Sequence, residues 1–128
     1  MEENIGIERP CFWCYFAGRG WIITCARRWG LIVALTRIVY LGSILEELHS
    51  RHKTAAFIDS IMIDASRVGI PFKHVLKKGI QAYQQVGFPD EWKLHHQGGP
   101  LGYANRDFLV THFTEEKIEM NQAIAWNP

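Results

Sequence analysis

The run Leu31-Ile32-Val33-Ala34-Leu35-Thr36-Arg37-Ile38-Val39-Tyr40 constrains the fold more than any other part of this chain. It is rich in β-branched residues and bracketed by Gly30 and Gly42, so it reads as a strand. Its apolar character is nearly continuous rather than alternating. A strand of that kind is expected to be buried on both faces of a sheet. Two helical patterns lie downstream. Ser43-Ile44-Leu45-Glu46 has the spacing of a capping box, in which the hydroxyl takes an orphan amide and Glu46 reaches back. Leu45, Leu48, Ala55, Ile58, Met62 and Ala65 then recur close to a 3.6-residue period, and that helix should end before Gly69. A second helix opens near Pro71, with Phe72, Val75, Leu76, Ile80 and Tyr83 as its apolar stripe. Gly87 stops it, and Pro89 follows.

The remaining segments are shorter. Residues 1–20 show no clear period. Trp21–Ala26 reads as a short strand. Trp92–His96 reads as a strand that enters a tight Gly98-Gly99-Pro100 turn. Phe108–Thr111 and Ala123–Trp126 read as further strands, and Thr114-Glu115-Glu116 as a polar turn. With 128 residues there is room for one domain with a real core and hardly for two. The fold class expected is α/β (α+β), with two helices packed on a mainly antiparallel sheet. Residues 1–28 form an N-terminal segment of unclear structure and residues 29–128 the domain.

Charge and hydropathy exclude several functions. A formal net charge of +1, with basic residues scattered among acids, gives no clustered surface for nucleic acid. The most apolar region, Trp21–Tyr40, is broken by Arg27, Arg28 and Arg37, whereas a membrane-spanning helix needs about 20 nearly uncharged residues. Glu2, Glu3 and Glu8 occupy the place of a basic signal-peptide start, so the expected location is cytoplasmic.

Chemistry-bearing residues concentrate in Trp92-Lys93-Leu94-His95-His96-Gln97-Gly98-Gly99-Pro100-Leu101-Gly102-Tyr103. Histidine brings proton transfer near neutral pH or metal ligation, and glycine lets a backbone approach a ligand or another strand. The plainer alternative is a turn with two histidines at a strand end. Adjacent residues of a strand face opposite sides, so His95 and His96 are not expected to share one ion. Cys11 and Cys14 have C-x-x-C spacing, which suits half a zinc site or a redox pair. Only Cys25 is nearby as a third zinc ligand where four are wanted. Gly18 and Gly20 disfavour the helix that would activate a redox thiolate. His49, His52 and His74 fall on helices and read as solvated, and His112 follows a strand with no evident partner. Asp59 and Asp64, five apart on one helix, do not share a face well. Arg106 reads either as an anchor for a substrate carboxylate or as a surface pair with Asp107.

From about Trp29 onward, the order of elements and several motifs resemble the pita-bread metallopeptidase family of Xaa-Pro aminopeptidase, methionine aminopeptidase, prolidase and creatinase. The segment from Gly30 to Val39 is similar to the family strand G-Y-x-x-D-x-T-R-T-F, and Gly42 follows it as a glycine does there. The long helix, the Val68-Gly69 break and the second helix resemble the stretch ending in the family's P-G turn. His95-His96-Gln97-Gly98-Gly99 resembles G-H-G-I-G, and the segment from Ala123 to Pro128 resembles the strand ending in E-P. The stretch from Glu91 to Gly99, with Gly102, Tyr103 and Arg106, is similar to a bacterial branch near the Xaa-Pro aminopeptidases.

The resemblance implies a partial pita-bread fold and a peptide or small-amide hydrolase using divalent manganese, cobalt or zinc. Such sites hold two metals on two aspartates, one histidine and two glutamates, and the metals activate a bridging water. Carried over residue by residue, His96 falls at the ligand histidine. Ala34 stands where the strand aspartate would be, and no acid occurs between Glu8 and Glu46 for its partner. Asn127 replaces the glutamate of E-P, and Tyr103 replaces a second histidine. Tyrosine still donates a hydrogen bond to a carbonyl or developing oxyanion. The expected site is therefore His96, Tyr103 and Arg106, with a single metal on His96 or none. The expected chain is a truncated, inactive piece of a longer enzyme, and the alternative is a non-catalytic binding module. Expected partners are a peptide or small amide and a second copy of the chain.

Overall fold

The computed structural model describes residues 15–17 and 20–128, with side chains described at positions 27–36 and 38–128. Cys11 and Cys14 lie outside that range, as does the side chain of Cys25. The chain begins with strand β1 (Tyr15–Ala17), followed by β2 (Gly20–Arg28) and β3 (Leu31–Tyr40). These form one antiparallel sheet in the order β1-β2-β3. Arg28 pairs with Leu31, leaving a two-residue connection. Its residues, Trp29 and Gly30, both have positive φ, 53° and 83°. That is the geometry whose twist matches a hairpin. The register steps from Ile23–Arg37 to Cys25–Ala34, which places the extra residue, and the bulge, in β3 at Leu35 and Thr36.

Two helices follow, α1 (Glu46–Ala65) and α2 (Phe72–Gln85). The capping box does not form. Leu45 occupies the N-cap with no side-chain cap bond, and Ser43 lies before it in a bend. With its start shifted this far, the helix leaves Glu46 and Glu47 in the first turn, where carboxylates complement the helix dipole. Pro71 caps α2 rather than opening it. Phe72, Val75, Leu76 and Tyr83 of the expected stripe are buried. Gly79 lets the helices approach closely: a Cβ there would stand 2.7 Å from Met62 Sδ.

Beyond α2 the chain departs from the expected strands. Glu91–Lys93 forms a 3-10 turn, and Leu94 and His95 form a bend. Gly98–Pro100 is itself strand β4, not a turn, and pairs antiparallel with β5 (Ile124–Trp126). The physical reason is space. A Cβ at Gly98 would lie 2.3 Å from Ala125 O, and one at Gly99 would lie 2.4 Å from Phe108 O. The glycines permit close strand approach from both sides rather than chain reversal. Phe108–Thr111 is not a strand, although Asp107 and Val110 donate backbone hydrogen bonds to Pro100 and Gly98. Thr114-Glu115-Glu116 does more than turn. Thr114 and Glu116 accept from the amides of Lys73 and Phe72, filling orphan positions at the start of α2.

The core gathers Ile58, Met62, Phe72, Val75, Leu76, Ala82, Tyr83, Val110 and Ile118, with Trp92, Phe108, Ile124 and Trp126 packed against it. Phe72 meets Phe108 edge-on at 5.4 Å and Trp126 at 6.2 Å. Trp126 also donates its indole N–H to Ser66 Oγ at 2.9 Å. The two-faced burial expected of β3 does not hold. Ile32 is buried, but Leu31, Val33, Leu35, Ile38 and Val39 are exposed. The helices pack on each other and on β5 instead of covering this sheet. No helix among the described residues is long and apolar enough to cross a membrane.

Candidate functional site

The histidine pair sits where the 3-10 turn hands over to β4. Both rings are exposed, with centroids 6.2 Å apart and planes at 82°. His95 Nδ1 lies 2.7 Å from the carbonyl oxygen of His96. His95 also lines a cavity of about 240 Å³, with Arg51, Ile58, Tyr83, Glu91 and Leu94. His96 is not among the residues of that cavity. Neither histidine is in a strand.

Gln97 fixes this geometry, and sequence reasoning passed over it. It is buried, the Tyr83 hydroxyl donates to its Oε1 at 3.1 Å, and its Nε2 donates to the carbonyls of Trp92 (3.0 Å) and His95 (3.2 Å). All of its side-chain polar atoms are used, which matters because an unpaired buried amide is costly. A glutamine between histidines and glycines carries no periodic signal that would announce burial. Its own carbonyl accepts from the Asn127 amide at 2.9 Å. This extends the β4–β5 pairing and sets Asn127 directly across from the residue that follows His96.

The loop after β4 holds the other two expected site residues. Asp107 donates to Pro100 O at 2.9 Å and closes this loop, which contains Tyr103 and Arg106. Gly102 accepts from the Ile32 amide at 2.8 Å, docking the β2–β3 hairpin onto the loop. Tyr103 is exposed and stands against the hairpin turn, where a Cβ at Gly30 would lie 3.3 Å from its ring. Arg106 is half-buried, and Nη1 donates to Asn105 O at 2.5 Å. His96 feels it: partial burial, then the charge of Arg106, then that of His95 push the imidazole below its ordinary pKa. The charge of Arg106 reaches His96, while Tyr103 stands against the hairpin turn.

The ligand positions implied by the resemblance remain poor. Ala34 lies opposite Cys25 in β3 and offers only a methyl group. Asn127 offers a neutral amide. Among the described residues, no three of histidine, cysteine, aspartate and glutamate gather where they could hold an ion. A two-metal centre needs several carboxylates to balance its charge, and this donor set does not fit one. His49, His52 and His74 are exposed, as expected. His112 has a partner that the sequence did not reveal, an edge-on contact with Trp92 at 5.2 Å. Asp64 pairs with Arg67, and Asp59 is half-buried, which raises its pKa.

No family model and no curated protein matches the chain. Solved structures do match. The prolidase from Pyrococcus furiosus superposes with a TM-score of 0.70 at 16% identity, over 82% of this chain and 32% of that one. The dipeptidase from Pyrococcus horikoshii OT3 gives 0.69 at 21% identity, over 82% and 30%. The X-Pro aminopeptidase from Thermotoga maritima MSB8 gives 0.67 at 14% identity, over 80% and 29%. The chain therefore spans about 30% of the length of the structures it matches. Most of it superposes, at identities that speak for architecture alone, and its fold is part of the pita-bread fold of these peptidases.

Proposed function

We propose that this chain is a peptidase-like domain that binds a peptide or small amide at His96, Tyr103 and Arg106 without metal-dependent hydrolysis. The observation that carries the reading is the pairing of Asn127 with Gln97, next to His96. The strand end that faces the histidine segment offers an amide where the resemblance calls for a carboxylate. The remaining side chains suit recognition. The Arg106 guanidinium pairs with a carboxylate, the Tyr103 hydroxyl donates to a carbonyl, and a neutral His96 donates or accepts one hydrogen bond.

Hydrolysis is the second reading, favoured by the superposition on a prolidase, a dipeptidase and an X-Pro aminopeptidase. One set of assays separates the two. Dipeptides and Xaa-Pro peptides are incubated with folded protein and manganese, cobalt or zinc, and peptide binding is followed by NMR shifts. Binding without turnover, lost in Arg106→Ala, is the expected result. Metal-dependent turnover, or tightly bound stoichiometric metal, would overturn it.

A further inference from the structure

A groove of about 490 Å³ runs along the side of α2 turned away from the core, and none of His96, Tyr103 and Arg106 lines it. Lys73, Lys77, Gln81 and Gln84 form its floor, since residues three and four apart make one stripe along a helix. Ile80 and His112 complete the lining. Among the described residues no carboxylate does so. α2 carries Lys73, Lys77 and Lys78 and no acidic residue, while the whole chain has a formal charge of only +1, so the rest of the sequence is net acidic. Lys73 stands in a first turn that holds no acid, although the helix dipole favours anions at that end. Lys73 pairs with Glu115, whereas Lys77 has no carboxylate partner among the described residues. The amides of Phe72 and Lys73 are already taken by Glu116 and Thr114, so side chains rather than the helix end make this surface.

We propose that this groove binds an acidic peptide segment in extended conformation, with two carboxylates, two residues apart, on Lys73 and Lys77. The spacings agree. Residues four apart on a helix have Cβ atoms about 5–6 Å apart. Side chains two apart in an extended chain share a face at about 6.5–7 Å. Each carboxylate therefore meets one ammonium group. From Lys73 to Gln84 the helix rises about 16 Å, the span of about five extended residues. Beyond the lysines, Gln81 and Gln84 offer amides that both donate and accept, which suits a peptide backbone rather than a further charge. A nucleic acid fits less well. Two lysines neutralise few phosphates, and no phenylalanine, tyrosine or tryptophan lines the groove to stack a base. Lys73 exchanges Glu115 for the incoming carboxylate, so Glu115 acts as an internal competitor.

NMR titration of the full chain with capped five-residue peptides tests the proposal. One peptide has aspartate at its first and third positions and alanine elsewhere. The other has the same composition with its aspartates adjacent, so that they point to opposite sides. The expected result is saturable amide shifts along α2 and at His112 with the first peptide, and binding of the second weaker by about threefold or more. Lys77→Ala weakens binding by about fivefold, the loss of one partly exposed ion pair. Lys78→Ala removes the same charge outside the groove and changes binding by less than about twofold. Glu115→Gln releases Lys73 and tightens binding by about two- to threefold. All three side chains are exposed, so an unchanged thermal transition verifies folding. Absence of shifts along α2 at millimolar peptide overturns the proposal. So does equal binding of the two peptides, an equal loss in Lys78→Ala, or weaker binding in Glu115→Gln. Inorganic phosphate or a short single-stranded oligonucleotide binding the groove more tightly than the first peptide overturns it as well, in favour of a phosphate site.

Discussion

The β2–β3 hairpin and the region from α1 to β5 both carry apolar sequence, denser in the hairpin, and use it in opposite ways. In the helical region, Phe72, Val75 and Met62 have no exposed surface. In β3, Val33 is 56% exposed and Leu35 48%. The difference lies in what each element meets. α1 and α2 bury each other across Gly79 and sit against β5, so an apolar stripe there closes a core. Among the described residues, the hairpin meets the rest of the chain at the Ile32–Gly102 hydrogen bond and the Gly30–Tyr103 contact, and Leu31, Val33, Leu35, Ile38 and Val39 of β3 stay exposed. Apolar composition records a capacity for burial, and packing partners decide whether it is used.

The widest separation between the two regions should appear in core truncations. Phe72→Ala removes a ring held by Phe108 and Trp126, and should cost about 3–5 kcal/mol. Val33→Ala, measured by urea unfolding at a concentration where the chain is monomeric, should cost no more than about 0.5 kcal/mol. Equal costs would mean that the hairpin shares the core. Gly98→Ala comes next. The added methyl meets Ala125 O at 2.3 Å, and the residue has φ of 128°, which side chains rarely adopt. Both penalties fall on backbone that cannot yield, so the loss should be on the order of 3 kcal/mol. Gly30→Ala, at the hairpin turn, shares the strain of a positive φ (83°) but its methyl meets only the side of the Tyr103 ring at 3.3 Å, a side chain that can yield. It should cost less, and a reversal of that order would place the stronger constraint in the hairpin.

The same contrast explains what the sequence revealed. The ten residues of β3 were legible as a strand, because β-branched content and bracketing glycines are local facts. Their burial was not legible, because it depends on neighbours that no local pattern names. The α2 stripe was legible in both respects, since a 3.6-residue period specifies a face and a second helix lies next to it in sequence. Gly98-Gly99-Pro100 misled, because the same glycines serve a turn or a crowded strand, and only Ala125 and Phe108 decide between them. At the site, His96, Tyr103 and Arg106 were visible as residue types. Gln97 was invisible, because its role is set by Tyr83 and by the carbonyls of Trp92 and His95.

Gln97 gives the next smaller effect and joins the helical region to the site. Gln97→Leu removes an acceptor from the Tyr83 hydroxyl and a donor from two carbonyls, at a cost of about 1–3 kcal/mol by thermal or urea unfolding. Peptide binding should weaken as well, since His95 O loses the bond that fixes the bend. Tyr103→Phe, on the hairpin side, keeps the ring against Gly30 and should leave stability within about 0.5 kcal/mol while lowering affinity. A stability loss in Tyr103→Phe as large as in Gln97→Leu would erase the distinction between a supporting and a contacting residue.

The smallest effect is a pH dependence. Partial burial, Arg106 and His95 hold the His96 pKa below its ordinary value. In the unfolded chain the imidazole titrates near about 6.5. Above that pH both states leave His96 neutral, and its contribution to stability is complete. As pH falls below that point, the unfolded chain takes up a proton that the folded chain resists, so stability declines through the folded pKa. Stability at neutral and mildly acidic pH should therefore show a shallow loss on acidification that His96→Gln flattens. Arg106→Gln should flatten it less, because burial outranks charge among the causes. If Arg106→Gln removed the slope entirely, the guanidinium rather than burial would control the imidazole, and His96 would belong to the loop carrying Arg106 more than to the core beneath it.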